Sequence, residues 1–186
     1  MYTALVNYCK ENNVRCLINE PLYKHTTFRI GGNADVFVYA NSSKTLSGIL
    51  KILNENTIPF IIIGKGSNLL VNDNGVRGVV VSLEEMKSIT LNGDIITAQS
   101  GAHLISLCTF AAENSLKGLE FAYGIPASVG GAQVSEKHAG FIINKNGATC
   151  SDVLSLIERV KQTVLKNNGV ELEREVILIN EDLSKS

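Results

Sequence analysis

A chain of 186 residues with 45% hydrophobic residues and a net charge of -1 has room for one large domain or two small ones and for a sizeable core. Its charges are interspersed, with no basic face or stripe, which argues against a nucleic-acid partner, and no apolar run is long enough to span a bilayer. The four cysteines, Cys9, Cys16, Cys108 and Cys150, form no C-x-x-C pair and no zinc-spaced cluster with histidine. They read as reduced thiols of a cytosolic protein, and residues 1–13 lack the basic and apolar regions of a secretion signal.

In chain order, residues 2–10 carry mild helical periodicity, and a polar stretch then runs to Pro21. Residues 34–39 alternate apolar and polar, the pattern of a half-buried strand. Ser42 and Ser43 are N-cap candidates for a helix whose Leu46, Ile49, Leu50 and Leu53 share one face. Pro59 introduces the strand 60–63. Strand, helix and strand predict a βαβ unit with its two strands parallel in one sheet. A glycine-rich turn, Gly64-Lys-Gly-Ser-Asn-Leu-Leu70, follows, then a turn at 72–75 and a short strand at 79–82. Residues 88–99 predict a hairpin turning at Asn92-Gly93 in type I′. A helix is expected over 103–114 with Leu104, Leu107 and Ala111 on one side, and a second glycine-rich segment covers 118–131. The tail predicts a strand at 141–144 and a helix capped by Ser151, with Val153, Leu156, Ile157, Val160 and Val164 at helical spacing and a stop at Gly169. A strand at 171–179 makes it β-α-β, and residues 180–186 are expected to fray.

The chemistry sits in the two glycine-rich loops. A strand running into Gly64-Lys65-Gly66-Ser67-Asn68 can use glycine's positive φ to turn backbone N–H groups onto an anion. Ser67 and Asn68 can add side-chain hydrogen bonds, and Lys65 can neutralise charge. The loop is neither the G-x-G-x-x-G fingerprint nor a Walker A loop, and alone it serves equally as a tight turn. The second loop, Gly124-Ile-Pro-Ala-Ser-Val-Gly-Gly131, shifts the balance. Two such loops on one scaffold can clamp a dinucleotide from both sides, although composition and spacing do not identify it.

Three motifs together, Pro21-Leu-Tyr-Lys-His-Thr-Thr-Phe-Arg-Ile-Gly-Gly32, Gly64-Lys-Gly-Ser-Asn-Leu-Leu70 and Gly124-Ile-Pro-Ala-Ser-Val-Gly-Gly131, closely resemble the N-terminal half of the UDP-N-acetylenolpyruvoylglucosamine reductase family. From Gly130 onward, Gly-Gly-Ala-Gln-Val-Ser-Glu-Lys-His-Ala-Gly-Phe-Ile-Ile-Asn144 and then Gly169-Val-Glu-Leu-Glu-Arg-Glu-Val176 resemble its C-terminal, substrate-binding part. The resemblance implies an α+β fold. A partial PCMH-type FAD-binding domain with a mixed sheet would cover residues 1–132, and a truncated β-α-β remnant of the C-terminal domain residues 133–186.

The family implies FAD as cofactor, NADPH as hydride donor and a UDP-sugar substrate. The reaction reduces the enolpyruvyl ether of UDP-N-acetylglucosamine to UDP-N-acetylmuramate, a cytoplasmic step of peptidoglycan precursor synthesis. A serine protonates the enol, helped by a glutamate and an arginine. Carried over residue by residue, flavin binding falls to Gly64, Lys65, Gly66, Ser67, Asn68, Leu69, Gly124, Ile125, Pro126, Ala127, Gly130 and Gly131, and the catalytic glutamate to Glu175. Arg29 and His138 are lesser candidates, for flavin positioning and substrate shaping.

The resemblance also shows what is missing. The family's second flavin loop continues into an Asn-x-Gly-Ala-x-Gly segment, strands with a Tyr-Arg pair and a motif bearing the catalytic serine. None of these follows here, and Ser128 and Ser135 stand in the wrong context to replace that serine. Gly130-Gly131-Ala132 ends one motif and begins the next, as an in-frame internal deletion between similar sites would leave it. The expected consequences are weak flavin binding, a marginally stable fold and impaired activity. The alternatives are a non-catalytic flavin- or nucleotide-binding module and a pseudogene product.

Overall fold

The computed structural model describes residues 1–125, 127–131, 144 and 147–183. The chain opens with α1 (Thr3–Glu11), β1 (Arg15–Pro21) and a 3-10 turn at Leu22–His25, followed by β2 (Asn33–Tyr39), α2 (Ser43–Glu55) and β3 (Phe60–Ile63). After β4 (Leu69–Val71) and β5 (Val76–Ser82), the main sheet is complete in the order β1-β2-β5-β3. β2, β5 and β3 run parallel and β1 is antiparallel to β2, so the sheet is mixed. The β2-α2-β3 unit is present as expected, with β5 inserted between its two strands.

The polar stretch before Pro21 is in fact β1. It lies at the edge of the sheet and is half-exposed, and Asn19 breaks its regularity with φ +55°, which is why its alternation is faint in sequence. α2 begins where the Ser42 hydroxyl accepts from Thr45 N–H at 3.2 Å and Thr45 Oγ1 accepts from Ser42 N–H at 3.1 Å. This reciprocal cap satisfies two helix-end donors at once.

The central strands are buried on both faces, as expected of parallel strands under cover. Along β2, Val36 and Val38 face one core, and Ala34, Phe37 and Tyr39 face the other. The first core packs under α1 and α2 with Leu5, Cys9, Ile49 and Leu53. The second gathers Leu22, Val71, Val80 and Ile179.

A smaller lobe follows. β6 (Ile89–Asn92) and β7 (Ile95–Ala98) form the predicted hairpin, and α3 (Leu104–Glu113) packs near it. The turn differs from the expectation. Asn92 pairs with Ile95, so the two loop residues are Gly93 and Asp94, and only Gly93 has positive φ, +59°. Glycine at the first central position is the type II′ arrangement.

The tail also departs from its reading. α4 (Cys150–Asn168) is capped by Thr149, not Ser151: Thr149 Oγ1 accepts from Asp152 N–H at 3.1 Å, and the Asp152 carboxylate accepts from Thr149 N–H at 2.9 Å. Gly169 ends the helix with φ +68°, as expected. The last strand, β8, is only Ile177–Ile179, paired parallel to β4. The earlier residues of the expected strand are left unpaired because β4 itself is three residues long. The strand expected at 141–144 lies outside the described residues except Asn144, which is not in a strand. Beyond β8 the chain is docked, not frayed, as far as Leu183. Arg77 N–H donates to the Glu181 carbonyl at 2.8 Å, and Leu183 packs on the second core.

Candidate functional site

The first glycine-rich loop leaves β3 at Ile63 and returns into β4. Gly66 holds φ +66°, and a Cβ there would collide with the His25 carbonyl. Its own carbonyl accepts from Thr27 N–H at 3.2 Å. The 25–27 segment of the first motif is therefore the wall on which this loop is formed. Lys65 and Ser67 are exposed. Asn68 is committed on the other side: its Nδ2 donates to the Glu175 carbonyl at 3.1 Å, and its carbonyl accepts from Ile177 N–H at 3.0 Å. Leu69 turns into β4 and packs against the second core.

The second loop is laced to the start of α3. Leu104 N–H donates to the Ala127 carbonyl at 3.0 Å, Val129 N–H to Ala102 at 2.8 Å and Gly130 N–H to Ser100 at 2.8 Å. A side chain on Gly130 would strike Ser100. Ile125 and Ala127 pack inward on the core of the smaller lobe, and nothing crowds Gly124. Pro126 lies outside the described residues.

The two loops meet at Ser128. Its Oγ would lie 3.1 Å from a Cβ on Gly64 and equally 3.1 Å from a Cβ on Gly131. The residue is 4% exposed and its hydroxyl has no hydrogen-bond partner among the described residues. A buried, unsatisfied hydroxyl costs about 1–3 kcal/mol, so its persistence asks for a ligand. Ser128, Gly64, Lys65, Glu84, Lys87 and His103 line a cavity of about 120 Å³ there. Two lysines against one glutamate favour an anion. His103 is the N-cap residue of α3, with no capping bond from its side chain, and that helix end adds partial positive charge.

The cavity is small beside the ~300–1,000 Å³ of pockets that engulf a whole ligand. It suits the diphosphate of a dinucleotide and leaves the ring systems outside it. Donor chemistry, glycine approach and the orphaned hydroxyl fit that part of FAD.

The structure thus gathers Gly64 and Lys65 of the expected flavin residues at the cavity, with Gly131 against the Ser128 hydroxyl, while Gly66 and Gly130 pack against His25 and Ser100. Glu175 is exposed and lies beyond Asn68, tied to the first loop through its backbone carbonyl. Arg29 is exposed with φ +54°, and His138 lies outside the described residues. His25 is held structurally, stacked on Phe37 at 4.2 Å and 3.0 Å from Glu20. Sequence reading missed Glu84, Lys87 and His103. The two acidic and basic residues sit in an unremarkable polar stretch, whereas His103, immediately before an apolar helix, was findable as a helix-start residue.

A family model described as "FAD binding domain" matches residues 34–157. The UDP-N-acetylenolpyruvoylglucosamine reductase of Clostridium botulinum (strain Hall) is 30% identical over 289 aligned positions, which cover 92% of this chain and 94% of that protein. Against a chain of 186 residues, that alignment leaves at least 103 positions of the relative, all internal to it, without a counterpart. The reductase of Geobacillus kaustophilus is 37% identical over 187 positions, covering 97% of this chain and 58% of that protein. Among solved structures, the UDP-N-acetylenolpyruvylglucosamine reductase of Thermus caldophilus is 33% identical with a TM-score of 0.48, over 64% of this chain and 40% of that one. On sequence motif, fold and relatives alike, the chain belongs to the UDP-N-acetylenolpyruvoylglucosamine reductase family and carries its PCMH-type FAD-binding fold, with a mixed sheet, in truncated form.

Proposed function

We propose that this chain binds FAD across its two glycine-rich loops, and that it retains the family's reduction of UDP-N-acetylglucosamine enolpyruvate only in impaired form. The observation that carries the flavin site is the meeting of both loops at the orphaned Ser128 hydroxyl. Backbone N–H groups of the 64–68 loop, Ser128 Oγ, Lys65 and Lys87 would hold the diphosphate, with Gly64, Gly130 and Gly131 keeping the approach open. FAD, when bound, supplies hydride chemistry from NADPH. The protein's part is to fix the cofactor's position and to exclude water at the diphosphate.

Impairment follows from what the residues do not supply. Proton delivery to the reduced substrate needs a serine placed by its own motif, and the chain offers only Glu175 of the expected trio. The internal gap of at least 103 positions against the C. botulinum relative supports an internal loss. So does the reach of that alignment over 94% of the relative, with residues 133–186 as the remnant of the C-terminal domain.

The test is FAD retention after desalting. A yellow, monodisperse protein that keeps part of its FAD, less than one per chain as weak binding predicts, is the expected result, and Ser128→Ala should weaken binding about tenfold, the scale of one hydrogen bond to a charged group. A folded, monodisperse but colourless protein would overturn the flavin site. The same gap favours a second reading, a flavin-binding module without catalysis. Bound FAD with no NADPH oxidation in the presence of the enolpyruvyl substrate supports it, and turnover rejects it.

A further inference from the structure

Cys9 and Cys16 belong to no part of the flavin site, yet the fold brings them together. Cys9 sits two residues before the end of α1, and Cys16 one residue after the start of β1. Between them the chain reverses at Asn13, φ +52°, and Val14 N–H folds back to donate to the Cys9 carbonyl at 2.8 Å. At about 1.5 Å per helical residue and about 3.3 Å per strand residue, both cysteines lie at nearly the same height along this helix–strand reversal. Val14 and Cys16, two apart and so on one face of the chain, pack with Cys9 in the core beneath α1 and α2.

The two thiols are not equivalent. Cys9 is 1% exposed, whereas Cys16, on the edge strand, is half-buried against the same core. A hydrogen bond to Cys16, followed by burial, drives the Cys9 thiol well above its ordinary pKa. The same bond, helped by the charge of Lys10, draws Cys16 down against its own partial burial. A half-buried cysteine beside a fully buried one in the same core is the arrangement of an attacking and a resolving cysteine.

We propose that Cys9 and Cys16 form a reversible intramolecular disulfide when the chain meets a small-molecule disulfide oxidant such as oxidised glutathione. The Cys16 thiolate attacks one sulfur of the oxidant, forming a mixed disulfide and expelling one thiolate. Cys9, losing its proton, then attacks the Cys16 sulfur, and the second thiolate leaves. Two protein thiols are oxidised and one disulfide is reduced, and the protons given up by Cys16 and Cys9 end on the two expelled thiolates, which leave as thiols. The bond joins α1 to β1 across the reversal and fastens the edge of the main sheet.

The experiment incubates the folded full-length protein with oxidised glutathione, blocks remaining thiols under denaturing conditions and digests with trypsin. Lys10 and Arg15 lie between the two cysteines, so a Cys9–Cys16 bond appears as residues 1–10 joined to residues 16–24. The expected results are that joined peptide, a fall from four titratable thiols to two, and reversal by dithiothreitol. Closing so short a loop should raise the melting temperature by about 5–10 °C, and Cys16→Ser should abolish the rise. Cys9→Ser should instead trap glutathione on Cys16. A persistent glutathione adduct on Cys16 of the unsubstituted protein, a bond to Cys108 or Cys150, or four thiols remaining would each overturn the proposal.

Discussion

Leu70 is the residue on which the tail and the first glycine-rich loop depend together. It is fully buried, lies in β4 beside its β8 partner Leu178, and packs with Ile30, Cys150 and Val153. Leu70→Ala removes three carbons from that contact. At about 0.8 kcal/mol per buried CH₂ the transfer loss is about 2.4 kcal/mol, and the void adds to it. Among the described residues the cluster has four buried members and can partly collapse, so the total should fall near the lower end of the Leu→Ala range, about 3 kcal/mol. With a urea slope of about 2 kcal/mol/M, the midpoint moves down by about 1.5 M. Leu53, also fully buried but under α2 in the first core, is the control: Leu53→Ala should cost as much or more. The two variants should differ in where they loosen. In Leu70→Ala, trypsin should cut α4 at Arg159, Lys161 and Lys166 below the global transition, and FAD affinity should drop, because Asn68 loses its hold on residues 175–177. In Leu53→Ala, adjusted by urea to the same stability, α4 should stay protected. Equal cleavage of α4 in both variants would refute the idea that Leu70 locks the tail to the loop.

Three further outcomes follow from local geometry. Both carboxylate oxygens of Asp73 lie 3.0 Å from the Cys150 N–H at the start of α4. Asp73→Ala should therefore cost about 1–2 kcal/mol in urea unfolding, and less than the sum when combined with Leu70→Ala because the sites are coupled. Gly48 faces the Tyr8 ring so closely that a Cβ would overlap its hydroxyl. Gly48→Ala should thus destabilise by about 1–3 kcal/mol despite alanine's better helix propensity, and a stabilised variant would show that Tyr8 swings away freely. Tyr2 donates to Asp35 at 2.8 Å, and burial, then that hydrogen bond, push its phenol up to about 12. Its folded pKa exceeds its unfolded value, so the unfolded chain releases the proton first. The contribution is fully present below about pH 10 and is lost as pH rises toward about 12. Alkaline unfolding curves of Tyr2→Phe should lack that part of the slope, and an unchanged slope would count against the assignment.

Legibility followed burial and periodicity. β2, α2, β5 and α3 were readable because each buries a stripe of mostly apolar residues at period 2 or 3.6, and β3 because its Phe-Ile-Ile-Ile run follows Pro59. β1 was not, because an edge strand half-exposed on both faces, broken by a left-handed Asn19, shows no clean alternation. The hairpin was found but its turn was placed one residue early. Asn92-Gly93 suits type I′, yet cross-strand pairing of Asn92 with Ile95 decided the register. Ser151 looked like a cap by composition, but Thr149 is followed three residues later by Asp152, which completes the reciprocal bonds. In the site, the glycine loops were visible as motifs. Their convergence on Ser128 was not, since it depends on β3 and the start of α3 presenting both loops at one place.

The first loop is held between two distant pieces of chain, and this bears on what an internally shortened family member can still do. On one side, Gly66 accepts Thr27 N–H and has no room for a side chain against His25. On the other, Asn68 grips residues 175 and 177, more than a hundred positions away in sequence. The tail is therefore integral to the cofactor lobe: β8 completes the small β4 sheet, Ile179 enters the second core, and α4 covers Ile30 and Leu70. A loss between the second glycine loop and α4 removes positions of the relatives without removing this clasp. Long-range β pairing of this kind is entropically costly to close. Shortening the intervening chain lowers that cost, which helps the clasp form. The cavity at Ser128 is lined by Gly64 and Lys65 just after β3, Glu84 and Lys87 after β5, and His103 just before α3, so the clasp holds the first loop from the side away from those residues.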